Sequence, residues 1–274
     1  SYFWFVAQLF QLNVPRFGRF DMGLTSLQTS VLLAVLGFGI GLGSVFAGRV
    51  SEGKVELGLV PIGSLLIALG NIGLGLSSDS YFKAMLCLSA VGLGGGFFIV
   101  PLNSYLQAKS PNQVRGEFIA AANLLVYAGM LLSSLVSWML LEVFEVNSAS
   151  LFIFVGVLAL LVSVYICTVL PQMAVRCLNW ILTHTLYRVS VYGAENVPRQ
   201  GGGLIVCNHV AYTDPPLLLA TLERNVSFLM FKPIYDLPVV NWIARIMNAI
   251  PISVSEGPKA VVESLRRAAD EIAG

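Results

Sequence analysis

Charge is what this sequence most lacks. Asp, Glu, Lys and Arg together make up 11% of its 274 residues, where soluble domains average about 25%. Mean hydropathy is +0.79. A surface so poor in charge needs a non-aqueous solvent over much of its area, which excludes an ordinary soluble protein for the chain as a whole. An excess of either sign is missing too: 16 Lys and Arg stand against 15 Asp and Glu. Without a basic surplus there is little to attract a phosphate backbone, so nucleic acid is not expected as a partner. Cysteines are few. Cys87, Cys167, Cys177 and Cys207 show no CxxC spacing and sit in apolar runs, so neither a disulfide framework nor a metal site is expected. The chain has no initiator Met, and residue 1 falls inside an apolar run. It reads as an excerpt of something longer, and the lack of a signal peptide is uninformative.

What the sequence has is apolar length. A spanning helix needs about 20 mostly apolar residues, and such stretches lie at 1–15, 26–48, 57–76, 81–106, 118–143 and 150–171. Charges and turn residues collect between them, at Arg16 to Asp21, Arg49 to Glu56, Ser77 to Ser80, Lys109 to Glu117 and Glu142 to Ser148. Six helices place both ends on one side. Cations set that side: Arg49, Lys54, Lys109, Arg115 and Arg176 fall with the exit of the sixth helix, against Arg16, Arg19 and Lys83 opposite. The bias puts the exit in the cytoplasm. Charge density roughly doubles after Gln172: residues 1–172 carry seven Lys/Arg and seven Asp/Glu, and the remaining 102 carry nine and eight. The solvent changes there.

Gly37, Gly39, Gly41 and Gly43, and Gly92, Gly94, Gly95 and Gly96, fall in the second and fourth helices. Small residues let helix backbones approach in lipid, which serves a rigid bundle or helices that rock. Polar residues at membrane depth are costly and face another helix or a cavity. They are Gln8, Gln11 and Asn13, then Asn71, Asn103, Gln107 and Asn123. No Asp, Glu or His lies mid-span, so a buried carboxylate relay is not expected.

The run Gly92-Leu-Gly-Gly-Gly-Phe-Phe-Ile-Val-Pro-Leu-Asn-Ser-Tyr-Leu-Gln107, with Ala121-Ala-Asn-Leu124 beyond the Arg115 loop, resembles the lysophospholipid transporter family of the major facilitator superfamily. The resemblance implies a bundle of two six-helix halves, of which residues 1–172 are the second, moving lysophospholipid to the inner leaflet. Substrate sites in such folds lie between the repeats near the midplane, which makes Asn103, Gln107 and Asn123 candidate lipid-binding residues. A half-bundle alone is not expected to transport.

Residues 173–188 mix apolar and polar positions with Trp180, which suits an interfacial linker helix. From 189 onward the pattern is that of an α/β domain on a mixed sheet. Strands are expected at Val189–Tyr192 and Leu204–Cys207, with a Gly/Pro turn between them through Gly203. The second strand runs into Asn208-His209-Val-Ala-Tyr-Thr-Asp214-Pro-Pro-Leu. A hydroxyl is a weak nucleophile at neutral pH, and a neutral imidazole can take its proton as attack begins. A carboxylate beside the ring fixes its tautomer and stabilises the imidazolium. A turn after the strand would fold Asp214 back onto His209. His-x4-Asp by itself is a weak signal, and a structural His is the bland alternative. His184 has no such partner and reads as interfacial.

Strand, Asn-His-x4-Asp and helix together resemble the first conserved block of the glycerolipid acyltransferases. The likeness extends through Val226–Lys232, the Trp242 helix and Asn248–Ser253. The resemblance implies His209 and Asp214 as catalytic, with Asn208, Lys232 and Ser253 near the acceptor. Where that family often has an Arg that holds a bare glycerol phosphate, this sequence has Ser253, which fits a lysophospholipid with a head group. Later blocks, including Phe-Pro-Glu-Gly, would lie past Gly274, so the portion given is expected to be inactive alone. The joint reading is a membrane all-α half-bundle followed by a truncated α/β acyltransferase domain at 189–274. Lysophospholipid delivered across a bacterial inner membrane would be re-esterified on the cytoplasmic side. The acyl thioester of an acyl carrier protein or of CoA would be co-substrate, and no other cofactor is expected. Bacterial fusions of this layout, often with an acyl-carrier-protein synthetase domain following, resemble the chain. A transporter with a non-catalytic tail and an acyltransferase merely anchored by its helices are the alternatives. Six glycine-rich helices exceed what an anchor needs.

Overall fold

The computed structural model describes residues 2–51, 57–198, 201–222, 224, 226–253 and 255–273. Lys54, counted among the loop cations, lies outside them. The chain divides into two compact units, Ser1–Val169 and Leu170–Gly274.

Among the described residues the first unit has six α-helices in chain order: α1 (Tyr2–Arg16), α2 (Ser26–Ser51), α3 (Leu59–Gly75), α4 (Tyr81–Lys109), α5 (Arg115–Trp138) and α6 (Ser148–Val169). Among the described residues, four are long and apolar enough to cross a bilayer: Ser26–Val50, Tyr81–Lys109, Arg115–Val143 and Ser148–Val169. α3 is shorter, at 17 residues, and ten of them are buried. It packs between α4 and α6 and leaves Leu65 and Leu69 exposed. The segment from Arg16 to Asp21, expected as a separator, is helical instead: α1 runs on into a wide π turn at Phe17–Asp21. Pro15, inside α1, cannot donate to the helical ladder, and the widened turn follows directly. α5 likewise ends in a π turn at Met139–Val143.

α2 packs on α4, α4 on α3, α3 on α6, and α1 on α5. The glycines make the first contact close. A Cβ on Gly92 would lie 2.5 Å from the Leu36 carbonyl oxygen and 2.9 Å from the Gly39 Cα. α1 and α5 are joined by polar groups: Asn13, fully buried, donates to the Leu9 carbonyl at 2.8 Å and to Ser137 Oγ at 3.1 Å, and Ser133 donates to the Phe5 carbonyl. Asn71 is also buried but donates within its own helix, to the Ile67 carbonyl. The core is aromatic and aliphatic, with Phe10 and Phe17 both against Phe152.

The second unit opens with α7 (Pro171–Leu186), followed by α8 (Asp214–Thr221), β1 (Leu229–Phe231), α9 (Lys232–Tyr235), α10 (Pro238–Ile246), β2 (Ile250–Ile252) and α11 (Pro258–Ala273). β1 and β2 pair in parallel, Phe231 opposite Ile252. Two strand expectations and the mixed sheet are corrected here. Val189–Tyr192 and Leu204–Cys207 are not strands, and the sheet of the described residues is two-stranded and wholly parallel. A strand exists only through its ladder partner. Leu204 and Val206 are exposed, and among the described residues no segment pairs with them. Gly193 and Gly201 both have φ +77, the left-handed backbone that the turn between those segments requires.

Candidate functional site

Asp214 is the first residue of α8, with Pro215 and Pro216 behind it. Proline in a first turn sacrifices no helical bond, so the two prolines start the helix sharply and hold the carboxylate at its head. The carboxylate folds back along the preceding turn. Its Oδ2 accepts from the Val210 amide at 2.8 Å and the Ala211 amide at 2.9 Å, and lies 3.0 Å from His209 Nδ1. The Asp214 amide closes the turn onto the Ala211 carbonyl. Two backbone donors and then the imidazole stabilise the anion and hold the Asp214 carboxyl below its ordinary range. An ionised carboxylate can only accept, so the proton of this contact sits on Nδ1. In the neutral form of the ring, Nε2 then carries the lone pair. The His209 side chain is 59% exposed and that of Asp214 22%. The ring can thus meet a substrate while its orienting partner is sheltered.

Parallel pairing of β1 and β2 brings the residues just past both strand ends together at one edge. Lys232 follows Phe231, and Ser253 follows Ile252. Lys232 forms an ion pair with Glu256, which raises the ammonium above its usual value. Ser253 is buried and its hydroxyl meets that of Ser255 at 3.0 Å. Asn208 is exposed beside His209. Neither Glu256 nor the Val210 and Ala211 amides were singled out from sequence. Backbone donors leave no trace in residue type, and Glu256 reaches Lys232 across 24 positions.

In the membrane unit, Asn103, Gln107 and Asn123 are exposed on α4 and α5. They lie outside a cavity of about 190 Å³ bordered by Phe10, Gln11, Leu33, Leu36, Ile40 and Val91. Of the polar residues picked out at membrane depth, Gln11 alone lines it.

These features define a multi-pass membrane portion followed by a portion that carries an acyltransferase-type His-Asp pair. The comparisons with known proteins divide the chain the same way. Residues 1–134 match the Major Facilitator Superfamily and residues 188–271 match the Acyltransferase family, so the chain joins a transporter-type segment to an acyltransferase segment. It is similar to the lysophospholipid transporter LplT of Yersinia enterocolitica, 33% identical over 135 residues, which is 48% of this chain and 33% of the relative. The same transporter of Serratia proteamaculans is 31% identical over 135 residues, with the same shares covered. A sugar transporter, ESL1 of Arabidopsis thaliana, is 28% identical over 113 residues, 40% of this chain and 23% of the relative. The chain spans about one third of the length of the LplT relatives. No solved structure matches.

Proposed function

We propose that the protein carries lysophospholipid across a bacterial inner membrane and re-acylates it on the cytoplasmic face. The observation that carries the enzymatic half is the His209–Asp214 contact, in which a sheltered carboxylate orients an exposed imidazole. Likeness to lysophospholipid transporters supports the choice of acceptor, as does Ser253 in place of an arginine suited to a bare phosphate. In the reaction, Nε2 takes the proton of the free glycerol hydroxyl as its oxygen attacks the carbonyl carbon of an acyl thioester. The tetrahedral intermediate expels the thiolate of CoA or of an acyl carrier protein, and the imidazolium returns the proton to that sulfur. The ester bond forms as the thioester bond breaks. Asp214 holds the tautomer and stabilises the transient imidazolium. Lys232, Ser253 and Asn208 are assigned to gripping the head group or glycerol, on the likeness to the acyltransferases alone.

The test is His209→Ala in the intact protein, with labelled acyl transfer to lysophosphatidylethanolamine as readout. General-base catalysis contributes about 10² to 10⁴, so acylation should fall by at least a hundredfold while lysolipid flipping in vesicles persists. Acylation within a few fold of the starting rate would remove His209 from the chemistry.

A further inference from the structure

In a soluble domain the apolar stripe of a helix faces inward. Three helices of the Leu170–Gly274 unit depart from this rule: α11 exposes Val262, Leu265 and Ile272, and α7 and α10, which touch each other, expose apolar side chains as well. α7 is held to its own unit by polar side chains. Arg176 donates to the carbonyls of Leu222 and Arg224, Asn179 donates to that of Pro216, and Thr183 is buried. Its apolar flank, Leu178, Ile181, Leu182 and Leu186, is exposed. α10, which touches α7, buries Ala244 on one flank. On the adjoining flank it exposes Val239 at 73%, Trp242 at 64% and Ile243 at 38%, positions three and four apart that share one face. Arg245 is exposed beside them.

We propose that this ridge of α10 is a second contact of the catalytic unit with the bilayer. Val239, Trp242 and Ile243 enter the boundary between head groups and acyl chains, and Arg245 meets lipid phosphates. Three observations favour lipid over a protein partner. α6 ends at Val169 and α7 begins at Pro171, so one residue separates this unit from a membrane-spanning helix. α7, in contact with α10, is built polar-inward and apolar-outward. The ridge combines Trp with an adjacent Arg, the pairing that membrane interfaces favour. α10 runs through Asn248 and Ala249 directly into β2, so docking there fixes the strand that ends at Ser253. The inference rests on α6 spanning the membrane and does not depend on His209 being catalytic.

Site-directed spin labelling of the full chain in nanodiscs containing anionic lipid tests it. The four native cysteines are replaced, and the label is placed by Val239→Cys or, as an aqueous reference on α11, by Asp270→Cys. Oxygen partitions into lipid and a nickel chelate into water. The ratio of their collision rates at 239 is expected to exceed that at 270 several-fold. Equal ratios would overturn the proposal, as would an immobilised label shielded from both agents, which signals a protein cover. A second measurement leaves the helix nearly unaltered: the emission lost on Trp242→Phe, taken as a difference from the starting protein so that Trp4, Trp138 and Trp180 cancel, should itself be quenched by brominated lipid. If that emission resists quenching, Trp242 is not in the bilayer. Loss or survival of acylation in His209→Ala changes neither readout.

Discussion

Asp214 organises the site more than its spacing from His209 suggests. One carboxylate oxygen takes two amides and a ring nitrogen, so the turn and the tautomer depend on the same charge. Asp214→Asn is nearly isosteric, yet its amide nitrogen competes for that position and its neutral oxygen no longer requires the proton on Nδ1. Acylation should fall by roughly 10²-fold or more. Hydrogen exchange at the Val210 and Ala211 amides should speed up at neutral pH. The pH dependence has a definite sign. A carboxyl whose folded pKa is lowered contributes stability above its unfolded value, about 3.9, and loses it as pH falls through the lower folded value. Protection of those two amides should therefore persist from neutral pH down to the ordinary carboxylate range and fade only below it. Fading between pH 7 and 5 would show that another group holds the turn. This part of the site was legible because it is local: five positions, one turn, two prolines. The Lys232–Glu256 pair was not, because it depends on β1 and β2 lying side by side.

At the scale of elements, the membrane helices were legible and the strands were not, for one physical reason. A helix closes its hydrogen bonds within itself, so the apolar runs that begin and end at charges became α2 to α6 within a few residues. A strand closes them with another segment, and Leu204–Cys207 has the pattern of a buried strand without, among the described residues, a neighbour to make it one. β1 and β2, three residues each, were visible only as parts of longer apolar segments. The glycines of α2 and α4 show the same division. Sequence spacing marked all eight alike, but contact separates them: a Cβ on Gly92 would strike the Leu36 carbonyl and Gly39, whereas one on Gly37 meets nothing within 4 Å. Gly92→Ala should destabilise the bundle by about 1–3 kcal/mol, the usual cost of overpacking. Gly37→Ala should be neutral or slightly stabilising, since Ala favours a helix by about 1 kcal/mol over Gly. Thermal unfolding in detergent distinguishes the two. Equal melting shifts would mean that α2 and α4 do not meet along this face.

At the scale of the molecule, the proposal that one half supplies the other depends on sidedness. Lysolipid brought to the inner leaflet can be acylated there only if His209 is on the cytoplasmic side, where acyl thioesters are made available. Six crossings would return the chain to the side from which it started, and the excess of loop cations is the reason to expect that side to be the cytoplasm. Cys207, exposed two residues before His209, is a native reporter of where the site lies. With Cys87, Cys167 and Cys177 replaced by serine, a membrane-impermeant maleimide should label Cys207 in inside-out vesicles and spare it in right-side-out vesicles until detergent is added. The reverse pattern would leave a transporter and an acyltransferase on one chain with no common leaflet to work in, because the hydroxyl would be delivered to the face opposite the imidazole. Labelling on the cytoplasmic side would make delivery and capture physically consecutive. It would also predict that acylation of lysolipid added to the outer leaflet slows in proportion when transport is impaired, while acylation of lysolipid already in the inner leaflet does not.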